Sequence, residues 1–121
     1  MKIAISILSI SVFALSVGCT KKTATESASP EQVSAEALVA KGKAAYQSNC
    51  IACHNPNPSI DGALGPAVAG SSRELLEARV LTASYPSGYT PKRTTVVMAA
   101  LPHLKNDIDA LTAYLNSGKY P

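Results

Sequence analysis

"SNCIACHNPNP", residues 48–58, sets Cys50 and Cys53 two residues apart and places His54 directly behind them. The chain has only three cysteines and two histidines, so this cluster gathers most of them. Such a group serves either the thiols' own chemistry, as a redox pair or a zinc site, or covalent attachment of a haem. A thioredoxin-like pair belongs at a strand-to-helix turn in a βαβ context, and no such pattern flanks it. Zinc could collect Cys50, Cys53, His54 and His103. Those two histidines, however, lie 49 positions apart, not about three to five residues apart as in a finger. An inert disulfide would leave His54 without a purpose. Haem accounts for all three side chains. Thiols one helical turn apart can each add to a vinyl group on one porphyrin edge, and the adjacent imidazole then lies under the iron as an axial ligand.

The chain begins "MKIAISILSISVFALSVGC", with Lys2 followed by an apolar run from Ile3 to Val17. That run is about 15 residues, short of the roughly 20 that span a bilayer, and serines interrupt it. Residues 1–18 therefore read as an export signal. Gly18 then precedes Cys19, and a polar stretch follows at once. The arrangement resembles the lipobox of bacterial lipoproteins, with Ser16 standing where an aliphatic residue is usual. The resemblance implies a lipid anchor on Cys19, which also explains an odd cysteine in an exported chain. Loss of residues 1–18 leaves ten Lys/Arg against eight Asp/Glu, formally +2. That balance gives no case for nucleic acid.

Residues 19–33, Ser-, Thr- and Ala-rich with one proline, have no apolar periodicity and read as a flexible tether. One domain of about 88 residues, 34–121, follows. Three helices are predicted in it. The first, capped by Ser34, carries an apolar stripe of Ala35, Leu38, Val39, Gly42, Ala45 and Tyr46. The second opens on Ser71 and Glu74 at capping-box spacing, and Leu75, Leu76, Arg79 and Val80 follow. The third starts at Asn106, with Asp107 and Asp109 in its first turn, buries Ile108, Leu111, Tyr114 and Leu115, and ends at Gly118. The only β-branched run, "TTVV" at 94–97, has no partner strand.

These helices supply little apolar mass. The chain has no Trp, and its one Phe lies in the signal. Domains this small often lean on a metal or cofactor, and a flat apolar cofactor would give the Pro- and Gly-rich loops something to wrap. Met98, the only methionine after residue 18, lies between the long loop and the last helix. It is a candidate sixth ligand for the iron, with His103 as the fallback.

The domain resembles a class I cytochrome c of the small bacterial monohaem type. The likeness rests on Gly42 and Tyr46 ahead of "CIACH", "GPAVAG" at 65–70, and "MAALPHL" leading into "DIDALTAYL". It implies an all-α cytochrome c fold, three main helices and loops wrapped around one covalently bound haem c. It also implies a crossing of the first and last helices in which Gly42 lets Tyr114 pack closely. Pro66 would offer its carbonyl to His54, fixing the ring and strengthening it as a donor. Ala99 stands where the family often has proline.

With His54 and Met98 both bound, the iron is coordinatively full, and thioether sulfur favours Fe(II). The reading is therefore an electron carrier and not an enzyme: single-electron transfer between respiratory or other redox partners, met by transient contact as a monomer. No nucleophile–base arrangement suggests otherwise. The alternatives are a haem-based gas or redox sensor whose Met98 dissociates, and a peroxidase-like haem. Arg79, Lys92, Arg93, Tyr85 and Tyr89 are candidates for holding the propionates. The place of action is the periplasmic or other extracytoplasmic face of a membrane.

Overall fold

Pro30 opens the first helix, and the computed structural model of the protein describes the chain from that residue to Pro121. The export signal and Cys19 lie outside the described residues. Helix α1 runs Pro30–Asn49. It begins four residues before the expected Ser34 cap, so residues 30–33, assigned above to the tether, form its first turn. Pro30 and Glu31 explain the early start. Proline suits the first helical position, where no N–H is required, and an acidic side chain suits the first turn.

Only the C-terminal half of the α1 stripe is covered. Tyr46 and Gly42 are buried, whereas Ala35 and Leu38 are exposed, contrary to the periodicity. The reason is the partner's length. Helix α3, Ile108–Leu115, has eight residues and crosses α1 at Gly42. A Cβ at position 42 would collide with the Ala110 carbonyl and lie 2.8 Å from Tyr114 Cβ. The expected Gly42–Tyr114 contact is therefore present, with Ala110 as its second half. The rings of Tyr46 and Tyr114 meet beside it at 5.6 Å. The crossing is closed at one edge by Lys41, whose Nζ lies 2.9 Å from Asp107 Oδ1.

Helix α2, Arg73–Leu76, passes directly into π-helical turns over Glu77–Leu81. Its cap is Ser72, which accepts from the Leu75 N–H, and not Ser71. Ser71 is buried and donates to the Val68 carbonyl instead, so no capping box forms with Glu74. The third α-helix also starts later than predicted, because a 3₁₀ segment that begins earlier precedes it. Pro102–Asp107 form a 3₁₀ helix, Asn106 lies within it, and α3 starts after Asp107 without a side-chain cap. Gly118 lies beyond the end of α3 in the left-handed region, at φ 66°.

No strand occurs among the described residues, and residues 94–97 are irregular. The core is one cluster in which Tyr46, Leu76, Val80, Leu104, Ile108, Leu111, Tyr114 and Leu115 meet. At about 1.5–3 kcal/mol for each large apolar side chain buried, this is a modest core. It borders an open cleft along one side.

Candidate haem site

The cysteine cluster continues the end of α1. The Cys50 N–H donates to Tyr46 O, and the His54 N–H donates to Cys50 O, both at 2.9 Å. Residues 50–54 thus make one more helical turn, as the spacing predicted. Tyr46 fastens the far end of it by donating its hydroxyl to Asn55 O at 2.7 Å. Cys50 is half-buried, Cys53 is exposed, and both are unpaired thiols. Burial, and then the neighbouring Cys53, push the Cys50 thiol up to about 11. Among the described residues, no three His, Cys, Asp or Glu side chains converge as a metal-ion cluster.

His54 is held in one orientation. Its Nδ1 lies 2.8 Å from the Pro66 carbonyl oxygen. A carbonyl only accepts, so Nδ1 carries the proton and Nε2 presents its lone pair. Gly65 makes the approach possible. A Cβ there would lie 2.5 Å from Nδ1 and 2.8 Å from Nε2, inside the ring's van der Waals envelope. Gly62 is equally constrained, since its Cβ would lie 2.6 Å from His54 Cα. The loop over 55–70 is drawn in further by the Gly65 N–H on Cys53 O and the Val68 and Ala69 N–H groups on Pro58 O.

An open cleft of about 1000 Å³, mouth included, lies beside this turn. Cys50, Cys53, His54 and Met98 all line it, with Leu64, Val68, Leu76, Val80, Val97, Leu111 and Leu115 among its apolar walls. Met98 is half-buried and packs against the core cluster. The segment behind it is tied down where the Leu101 N–H donates to Val80 O. The π-helical turns thus supply Val80 and Arg79 to the cleft wall. Such turns recur at functional sites.

His103 is elsewhere. It is exposed on the 3₁₀ helix, with Nε2 at 3.4 Å from Asn49 Oδ1, and is not part of the cleft. The five propionate candidates all line the cleft. Arg79 lies 4.3 Å over the Tyr85 ring and donates to Ala83 O, and Tyr85 stacks on Tyr89. Lys92 donates to Ala67 O at 2.8 Å, and Arg93 pairs with Asp61 at 3.2 Å.

A family model described as Cytochrome c matches residues 39–119, two thirds of the chain and all of the cleft. The chain belongs to the cytochrome c family. Its all-α fold, with three α-helices and no strand among the described residues, agrees with a class I cytochrome c. The family binds haem c covalently, and one haem is typical of a domain this small. Neither a curated protein nor a solved structure matches the chain.

The cleft of this cytochrome c domain suits that group on its own chemistry. It is apolar, it is bordered by two unpaired thiols, and it has an imidazole and a thioether on its walls. Family members are typically electron carriers, and their domains are usually exported. No helix among the described residues is long and apolar enough to cross a membrane. Gly65, Gly62 and Asp61 were absent from the residues singled out for the site. The only sequence signal for Gly65 was its place before Pro66 in "GPAVAG".

Proposed function

We propose that this chain is a monohaem electron carrier in which Cys50 and Cys53 form the thioether links and His54 and Met98 are the axial ligands. The observation that carries the reading is the 2.8 Å bond from His54 to Pro66, which leaves Nε2 as the donor nitrogen on a cleft that Met98 also lines. When bound, haem c supplies a one-electron Fe(III)/Fe(II) couple. The chain's own part is to hold that couple still. Pro66 fixes the ring plane and tautomer of His54, and Gly65 leaves room for it. The aliphatic walls exclude water, and with two protein ligands in place no coordination position is left for a substrate. Arg79, Lys92, Arg93, Tyr85 and Tyr89 are the candidates to receive the propionates.

A haem bound through exposed Cys53 would have that edge close to solvent, and partners would exchange electrons there through small, transient contacts. Export, followed by lipid attachment at Cys19, would hold the carrier at the extracytoplasmic face with its donors and acceptors. A sensor or peroxidase role requires an open or labile sixth position. Substitution of Met98→Ala provides the test. The parent protein should show the long-wavelength ferric band of sulfur–iron ligation and no rapid CO uptake when reduced, and the variant should reverse both. An unchanged spectrum in the variant would remove Met98 from the ligand set.

A further inference from the structure

Pro66 O and Ala67 N–H belong to one peptide group, and both ends of it are engaged. The carbonyl accepts from His54 Nδ1 at 2.8 Å, and the N–H donates to Asp61 Oδ1 at 2.6 Å. Asp61 thus bonds the same amide that holds the imidazole, on its opposite side. We propose that Asp61 is a positioning residue that tunes the iron's redox equilibrium by polarising the 66–67 peptide toward His54. This rests on His54 being an axial ligand.

Amide resonance couples the N–H and C=O dipoles of a peptide group. A carboxylate drawing on the N–H therefore increases the negative charge on the carbonyl oxygen. Hydrogen bonds in a chain strengthen one another by roughly 10–30% each, and a bond with an ionised partner is about twice as strong as a neutral one. The result is a tighter pull on the Nδ1 proton. The imidazole becomes a better donor through Nε2, and the ferric state gains relative to the ferrous.

The charges around Asp61 set how strongly it acts. Arg93 Nη2 lies 3.2 Å from Oδ2 and also donates to Gly62 O at 3.3 Å. Lys92, whose Nζ is bonded to Ala67 O, is the second cation nearby. Arg93 draws charge away from the carboxylate, so it opposes the relay while anchoring it. A simple loop staple would use the same contacts. It would leave the His54 proton and the redox equilibrium where they are.

The test uses the ferrous, diamagnetic holoprotein with ¹⁵N-labelled histidine, followed by a redox titration of the same samples. Asp61→Asn keeps an oxygen acceptor for Ala67 but loses the charge. The His54 Nδ1–H resonance should move upfield, and the Fe(II)/Fe(III) ratio at fixed ambient potential should rise three- to tenfold, about 28–59 mV at 59 mV per decade. Arg93→Gln should move the resonance downfield and lower the ratio. It carries the test alone if the Asp61 variant does not fold. A changed ratio with an unmoved Nδ1–H would mean a field acting through space and would overturn the relay. So would no change in either, or both variants moving the proton the same way. Failure of the underlying reading looks different: the wild-type His54 ring would then lack the upfield ring-current shifts of a haem ligand.

Discussion

Replacing Gly65 by alanine tests the placement of His54 directly. Gly65 does not adopt a positive φ, so alanine meets no backbone objection there. Everything unfavourable must come from the imidazole. The new methyl would lie 2.5 Å from Nδ1, where ordinary contact begins near 3.4 Å, so ring or loop must give way by about 0.9 Å. Added to the 2.8 Å bond to Pro66, a shift of that size carries the pair beyond the roughly 3.2 Å limit of a good hydrogen bond. Losing that bond costs about 1 kcal/mol, and overpacking costs about 1–3 kcal/mol. Restricting the unfolded chain returns about 0.4–1 kcal/mol. The net loss is about 2 kcal/mol, which lowers Tm by about 8–16 °C in a domain of this size. Thermal melts of Gly65→Ala holoprotein, followed in the Soret band, measure it, and the axial-ligand spectrum should change in parallel. An unchanged Tm with an unchanged spectrum would refute the placement of the ring against Gly65.

Four further outcomes follow from the same geometry. Gly42→Ala should destabilise by up to about 2 kcal/mol, because overpacking of about 1–3 kcal/mol against the α3 backbone outweighs the roughly 1 kcal/mol that alanine gains in an ordinary helix; a gain in denaturant midpoint would contradict the crossing. Tyr46→Phe should cost about 1 kcal/mol by losing the bond to Asn55 O. Tyr114→Phe should be neutral or stabilising, since among the described residues the Tyr114 hydroxyl has no partner; chemical denaturation separates the two. The Asp61 carboxyl is held below its usual range, first by the Ala67 N–H and then by Arg93. Its contribution is therefore full above about pH 4 and is lost as pH falls through the depressed value. Melts of Asp61→Asn at successive acidic pH values should accordingly lose part of the wild-type slope in that window.

The parts of the site that chemistry fixes by local spacing were legible in the sequence. Cys50, Cys53 and His54 occupy one turn, the arrangement that covalent attachment and axial ligation would need. Gly42 and Tyr114 were readable only through the family resemblance, which implies a close crossing of the first and last helices. The helix boundaries were harder, since adjacent residues compete on nearly equal terms. Ser71 and Ser72 are chemically the same cap, and only the bond to the Val68 carbonyl decides which of them faces inward. Pro30 and Pro102 each start a helical segment earlier than the next polar residue suggested, because a fixed φ favours the first helical position. The Leu38 stripe failed for a tertiary reason: α3 is too short to cover it. Asp61 and Arg93 are 32 positions apart in irregular chain, where no periodicity announces a pair, and their connection to His54 runs through a backbone amide that sequence does not display.

One measurement bears most directly on the haem centre, the intact mass of the mature protein together with the alkylation state of its thiols. The account predicts the mass of one haem on each chain, with Cys50 and Cys53 both closed to alkylating reagent. A chain without that increment, with both thiols open to the reagent, would contradict it.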